Sequence, residues 1–257
     1  MRRRPAPRWG LRAALTLVAA LGAGGIAGGC RLLLGELSSI RQVEAVAGAA
    51  RQEAGPPSLA RARQEAPCCQ AWIEVPGAQI DLPLAQADAS DPDFFLGHAL
   101  DGSPSSAGTP YVDARSPLGS RHVVVYGHHL TSVGGMFSAL FCCHQQREFD
   151  ERCRPGAILT TPAQGRVRLS ALCALSVDKS NQDVQQFAWR DAASFRTWLE
   201  GLCHNATARA PDAEALVTRA TGAVSLVTCS SIWSGRRGRT VVVFVRTQAG
   251  KARLPPR

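Results

Sequence analysis

The sequence predicts a mainly β domain with peripheral helices, preceded by a basic tail and an uncharged segment. Three observations carry this. Short runs rich in β-branched residues recur, Val123–Val125, Val224–Val227 and Thr240–Val245 among them. Ala71–Leu84 alternates apolar and polar residues around a Pro76-Gly77 turn, as a hairpin does. One late stretch, Asp191–Asn205, carries Phe195, Trp198, Leu199 and Leu202 at helical spacing. The 257 residues suit one domain with appendages.

Residues 1–12 hold Arg2, Arg3, Arg4, Arg8 and Arg12 and no acid. Residues 13–30 run without a charge, and Arg31 can snorkel so that Leu32–Leu34 lengthen the run enough to span a bilayer. The expectation is a cytoplasmic tail over 1–12 and a membrane signal anchor over 13–34, with the remaining chain on the outer face, because basic flanks stay in the cytoplasm. A cleaved signal peptide competes with this, since alanine and glycine make the run weakly hydrophobic. Ala27-Gly28-Gly29-Cys30 matches a lipoprotein cleavage site only in part, with alanine where an aliphatic residue belongs. The formal charge of +9 does not argue for nucleic acid: six arginines precede the first acid, Glu36, and the rest of the chain is close to balanced.

Residues 35–70 read as a helical extension. Leu37, Ile40, Val43 and Val46 or Ala47 fall on one helical face, Gly55-Pro56-Pro57 stops that helix, and Ser58 caps a shorter one through Glu65. A solvated stalk is the alternative. The folded domain is expected over 71–248, with 249–257 as a tail. After the hairpin, Asp93–Gly97 and Gly108–Asp113 lead into the next strand, and His98 between them reads as a surface residue. Strands follow at Val123–Tyr126, Ala157–Thr161 and Val167–Val177, the last two joined by a turn at Pro162–Gly165. Asp191 is a plausible N-cap for the late helix, whose aromatics read as core packing.

Nine cysteines are present: Cys30, Cys68, Cys69, Cys142, Cys143, Cys153, Cys173, Cys203 and Cys229. Setting aside Cys30 and Cys229 leaves an odd number, so a complete disulfide framework is not implied; one or two bridges and a fully reduced set both stay open. Cys142-Cys143-His144 with Cys153 fits no common zinc spacing. No metal site and no cofactor are expected.

The candidate chemistry sits at the ends of two strands. Leu226-Val227-Thr228-Cys229 closes an apolar run and faces a loop bearing Arg236, Arg237 and Arg239, where a thiol could ionise and act as a nucleophile. A buried inert thiol is the bland alternative, and only a partner group shifts the balance. That group is in Val123–Leu130, VVVYGHHL, where Gly127 allows a turn and His128 and His129 stand at the strand's mouth. On these residues alone, which of the two imidazoles faces the sulfur stays open. His122 and His144 receive no role.

Tyr126-Gly127-His128 after one strand, Leu226-x-Thr228-Cys229 at the end of another, and Arg239 ten positions beyond the cysteine together resemble a sortase, the membrane-anchored cysteine transpeptidase of Gram-positive bacteria. Gly134–Leu140 is similar to the short Met-Phe-x-x-Leu helix after the family's histidine, and Trp72–Pro83 to its first strands. His129 departs from the pattern, standing where asparagine is common. The N-terminal helices, the helix at 191–205 and the Cys-to-Arg gap point to class B. The resemblance implies a closed β-barrel; catalysis by His128, Cys229 and Arg239; substrate contacts from Thr228 and Leu226; and Asn-Pro-x-Thr-like sorting signals on surface proteins as substrates. Cleavage after threonine through a thioester would be followed by transfer to an amine of a peptidoglycan precursor or a pilin lysine. A cell-wall cysteine hydrolase and a noncatalytic surface-assembly module on the same barrel are the alternatives.

Overall fold

The strands pair in a ring. A computed structural model describes residues 40–51, 56–130, 134–229 and 237–247, with Gly29, Leu34, Leu37 and Ser38. Among these the strands are β1 (Cys69–Val75), β2 (Ile80–Gln86), β3 (Tyr111–Val112), β4 (His122–Tyr126), β5 (Ala157–Thr161), β6 (Gly165–Asp178), β7 (Ala208–Arg209), β8 (Ala220–Cys229) and β9 (Gly238–Thr247). Their hydrogen-bonded order is β5-β1-β2-β3-β4-β8-β9-β6, and β6 pairs back with β5. Eight strands thus close a mixed barrel in which β2–β3 and β4–β8 are parallel, while β7 lies outside on β6. Closure removes the exposed edges that invite aggregation.

The β-branched runs behave as their composition requires. Val241, Val242, Val243, Phe244 and Val245 are all fully buried, so both faces of β9 are covered and its pattern is continuous, not alternating. The β1–β2 hairpin turns through a 3-10 segment, Pro76–Ala78, with Pro76 at its start and Gln79 in the left-handed region (φ 53°).

Helices wrap this barrel. The described part of α1 runs over 40–50 and buries Val43, Val46 and Ala50, with Ile40 and Ala47 packed partly beside them. Leu37, expected on the same face, is exposed. α2 (Leu59–Glu65) is capped by Ser58, whose Oγ accepts from the Arg61 N–H. The extension is therefore packed and not a stalk: Arg51 after α1 donates to Glu74 at 2.6 Å and to Asp81 at 2.7 Å, and Trp72 Nε1 donates to Asp81. α3 spans Gln146–Arg152. α4 (Ala192–Asn205) begins in a capping box between Asp191 and Ser194 and buries Phe195, Trp198, Leu199 and Leu202, the face its spacing predicts. α5 (Ala213–Arg219) and β7 were not foreseen; both are short elements that return the chain to the barrel. The segments read as basic tail, membrane anchor (apart from Gly29 and Leu34) and C-terminal tail lie outside the described residues. Among the described residues no helix is long and apolar enough to cross a membrane.

Candidate active site

Three strand ends meet at one end of the barrel. β4 and β8 run parallel in a fixed register, His122 opposite Ala223 through Tyr126 opposite Val227. The ladder extends one bond further, the Gly127 N–H donating to the Val227 carbonyl at 3.0 Å. Continued two steps, the same offset sets His128 alongside Cys229. On the other side β9 runs antiparallel to β8, and Arg239 is the register partner of Cys229. The backbone of Cys229 is thus flanked by the chain that carries the imidazole and the chain that carries the guanidinium.

Gly127 lets the chain past a close obstacle: a Cβ there would lie 2.6 Å from the Phe137 ring. The His128 imidazole is half-buried and donates from Nε2 to the Leu96 carbonyl at 2.9 Å. It rests against Gly108, whose φ of +58° suits glycine and whose absent Cβ would lie 3.0 Å from His128 Cδ2 and 2.6 Å from the Phe95 carbonyl oxygen. His129 turns elsewhere and stacks on Phe141 at 4.3 Å between ring centres. Of the two neighbouring imidazoles, only His128 lines the groove that crosses this end of the barrel.

That groove has a volume of about 760 Å³, and His128, Thr228 and Arg239 all line it. Thr228 is buried, and its Oγ1 has no hydrogen-bond partner among the described residues. Leu226, read as a substrate contact, is fully buried in the main core and forms no part of the groove wall. The reason is depth: two residues back along β8 from Thr228, the side chain lies within the barrel. Arg237 pairs with Asp178 at 2.7 Å, drawing one of the three loop guanidiniums to the β6 end. Arg236 and most of the loop read as facing the thiol lie outside the described residues.

Solved structures with the same fold are known. The Staphylococcus aureus sortase B–substrate complex superposes with a TM-score of 0.67 at 16% identity, covering 84% of this chain and all of that one. Sortase B from B. anthracis gives 0.67 at 18% identity, covering 84% and 100%. A mutant form of Clostridium perfringens sortase B gives 0.66 at 16%, covering 81% and 98%. The chain has the sortase B fold. No protein-family model and no curated protein matches the sequence.

Within the sortase B fold, one groove wall holds groups that the sequence did not single out. Asp113 is buried, yet Arg115 binds both its oxygens (Nε to Oδ1 at 3.0 Å, Nη2 to Oδ2 at 2.7 Å) and Tyr126 Oη donates to Oδ2 at 3.1 Å. Burial pushes the Asp113 pKa up, but the Arg115 hydrogen bonds and charge outweigh it, and the carboxyl titrates below its ordinary value. Burial, then the Asp113 charge, pushes the Tyr126 hydroxyl up to about 12, so it stays a donor. Arg115 also reaches Gln185 at 3.0 Å and lies 4.7 Å from the centre of the Phe187 ring, tying this wall to the loop before α4. His122 pins the same loop from inside, with Nδ1 donating to the Gln186 carbonyl at 2.8 Å and Nε2 accepting from Ser225 Oγ at 2.8 Å. Burial drops its pKa to about 4, so it is neutral at pH 7. An Asp-x-Arg pair after a strand was the available sequence signal for this wall. Nothing local could show that His122 is buried.

Proposed function

We propose that this chain is a sortase-type cysteine transpeptidase. The observation that carries the proposal is the register: the backbone of Cys229 is flanked by the strand leading to His128 and by Arg239, and both of those residues line one groove. In this reading the Cys229 thiolate attacks the carbonyl carbon of the scissile bond, and the tetrahedral adduct collapses to a thioester as the amine leaves. His128 gives the leaving amine its proton. With Nε2 engaged by Leu96, Nδ1 is the nitrogen that exchanges it. Arg239 stabilises charge on the developing oxyanion, a task suited to a fixed guanidinium. Thr228 Oγ1, buried at the groove with its bonding capacity unused among the described residues, offers the substrate backbone a hydrogen bond.

An incoming amine then attacks the thioester and releases the thiol. The substrate class follows from the resemblance: a C-terminal Asn-Pro-x-Thr-like sorting signal, with an amine of a peptidoglycan precursor or a pilin as acceptor. The reading also places residues 13–34 in the cell membrane with the barrel on the outer face.

The test is incubation with a labelled Asn-Pro-x-Thr peptide and an excess of amine, followed by mass spectrometry. Amide product together with a Cys229-linked acyl-enzyme supports transpeptidation. Acid product alone identifies a hydrolase. A Cys229→Ala variant that keeps the protein's role in cells identifies a scaffold.

A further inference from the structure

The ladder that builds the active end stops just short of the imidazole. β4 and β8 pair as far as Tyr126 and Val227, the Gly127 N–H adds one more bond, and His128 is the next residue along. Its ring is engaged by the Leu96 carbonyl, and its backbone is held by the chain that returns after it. The Phe137 N–H donates to the His128 carbonyl at 3.1 Å, and His129 and Met136 form an isolated antiparallel bridge. The Phe137 ring also lies against Gly127, where a Cβ would meet it at 2.6 Å. The place of His128 therefore depends on where the turn over 137–141 sits. That turn is bonded within itself, the Leu140 N–H to the Phe137 carbonyl at 3.0 Å and the Phe141 N–H to the Ser138 carbonyl at 3.1 Å, so it shifts as one piece.

The far end of the turn is tied to the barrel by Thr240. Across 99 positions of chain, Thr240 Oγ1 donates to the Phe141 carbonyl at 2.8 Å. His144 Nδ1 lies 3.2 Å from the same carbonyl and 3.3 Å from Thr240 Oγ1, but His144 is only three residues beyond Phe141, so its bond is local. The Phe141 ring meanwhile stacks on His129. Thr240 is fully buried and opens a run of valines, Val241 to Val243, in which a valine of the same shape would fill its place. A hydroxyl taken out of water is unfavourable unless it is bonded, and this one spends its proton on Phe141. Strand alternation turns it away from the groove, which its neighbours Arg239 and Val241 line. The frame is a firm one, since β9 is laddered to β8 and β6 on both sides, with Thr240 opposite Thr228 and Ser176.

We propose that Thr240 is a positioning residue for His128: its hydrogen bond to Phe141 fixes the turn that holds the backbone of His128, relative to the strand end that carries Arg239. Thr240 touches neither the groove nor the reacting atoms. Without the bond, the turn keeps its internal hydrogen bonds and the strands keep their register. The change falls on the distance from His128 to Arg239, while the residues that line the groove stay as they are. Loss of the bond therefore lowers kcat and spares KM. The effect on rate rests on the transpeptidase reading above; the effect on the imidazole does not.

The experiment compares the full-length wild type, Thr240→Val and Thr240→Ser. Proton–carbon correlation spectra read the imidazole Cε1–Hε1 groups, assigned from His128→Ala, His129→Ala and His122→Gln, and kinetics use the labelled Asn-Pro-x-Thr peptide with amine. Thr240→Val keeps the branched shape and removes the hydroxyl. It should move the His128 and His129 resonances, leave that of His122 in place on Gln186 and Ser225, and cut kcat about tenfold with KM unchanged. Thr240→Ser, which restores the donor, should return the resonances and kcat to near the wild-type values. A His128 resonance unmoved in Thr240→Val, or moved equally in Thr240→Ser, would overturn the proposal. If Thr240→Val does not fold, Thr240→Ala against Thr240→Ser makes the same comparison. A wild type that yields no amide product would strike the transpeptidase reading, and the imidazole resonances would still decide the role of Thr240.

Discussion

The floor and the walls of the groove are held by different physics. The floor consists of strand ends: β4, β8 and β9 place His128, Thr228 and Arg239 through backbone registers anchored in a fully buried core. The walls consist of loops, and charge pairs hold them: Arg115 on Asp113 and Gln185 on one side, Arg237 on Asp178 on the other. Backbone ladders fix a position to within fractions of an ångström, whereas side-chain pairs at a surface contribute little and can re-form elsewhere. In the proposed reading, chemistry belongs on the first kind of support and selection among substrates on the second.

This contrast can be broken most forcefully at the floor. His128→Ala and Arg239→Ala should each lower kcat for transpeptidation by about a thousandfold with the fold intact, as loss of an acid–base group or an oxyanion donor does. Circular dichroism and steady-state kinetics on the same preparations check both halves of the statement.

The rivet between floor and wall comes next. His122 joins Gln186 in the loop to Ser225 in β8, and its folded pKa of about 4 lies below the ordinary 6.5. Between those values the unfolded chain binds more protons, so stability is full above pH 6.5 and declines as pH falls toward 4. The shift corresponds to about 3 kcal/mol. His122→Gln should flatten the pH dependence of the melting temperature in that window. A curve parallel to the wild type would remove His122 from the account. Asp113, with its lowered pKa, adds stability that is lost only at more acidic pH, below the ordinary carboxylate value.

A smaller effect is expected from Gly108→Ala, which pushes on the Phe95 carbonyl and the His128 ring without touching substrate. A displaced imidazole should cut kcat about tenfold to a hundredfold and leave KM nearly unchanged. The smallest belongs to the wall. Arg115→Ala should raise KM severalfold and spare kcat, while the buried Asp113 left behind should titrate higher than in the wild type. If Arg115→Ala lowered kcat as strongly as Gly108→Ala, the division between floor and wall would fail.

What the sequence made legible follows the same division. Local periodicity set out β8 and β9, the β1–β2 hairpin around Pro76, and the Asp191-capped helix with its Phe195, Trp198, Leu199 and Leu202 face. Each of these is decided by residues within a few positions of one another. Contacts between distant segments were not legible. Leu226 reads as a groove contact from the motif, yet the barrel's depth buries it. His122 opens an apolar run as a polar residue and proves to be a fully satisfied core group. Asp113 and Arg115 are two positions apart, but their role arises from Tyr126, Gln185 and Phe187.

The central proposal is that one imidazole and one guanidinium favour the Cys229 thiolate. The rate at which iodoacetamide alkylates Cys229 at pH 7, read by peptide mass in the absence of substrate, tests it most directly. His128→Ala and Arg239→Ala should each slow the reaction severalfold by disfavouring the thiolate, while His129→Ala, on the imidazole stacked against Phe141, should leave it unchanged. Equal rates in all four proteins would contradict the account.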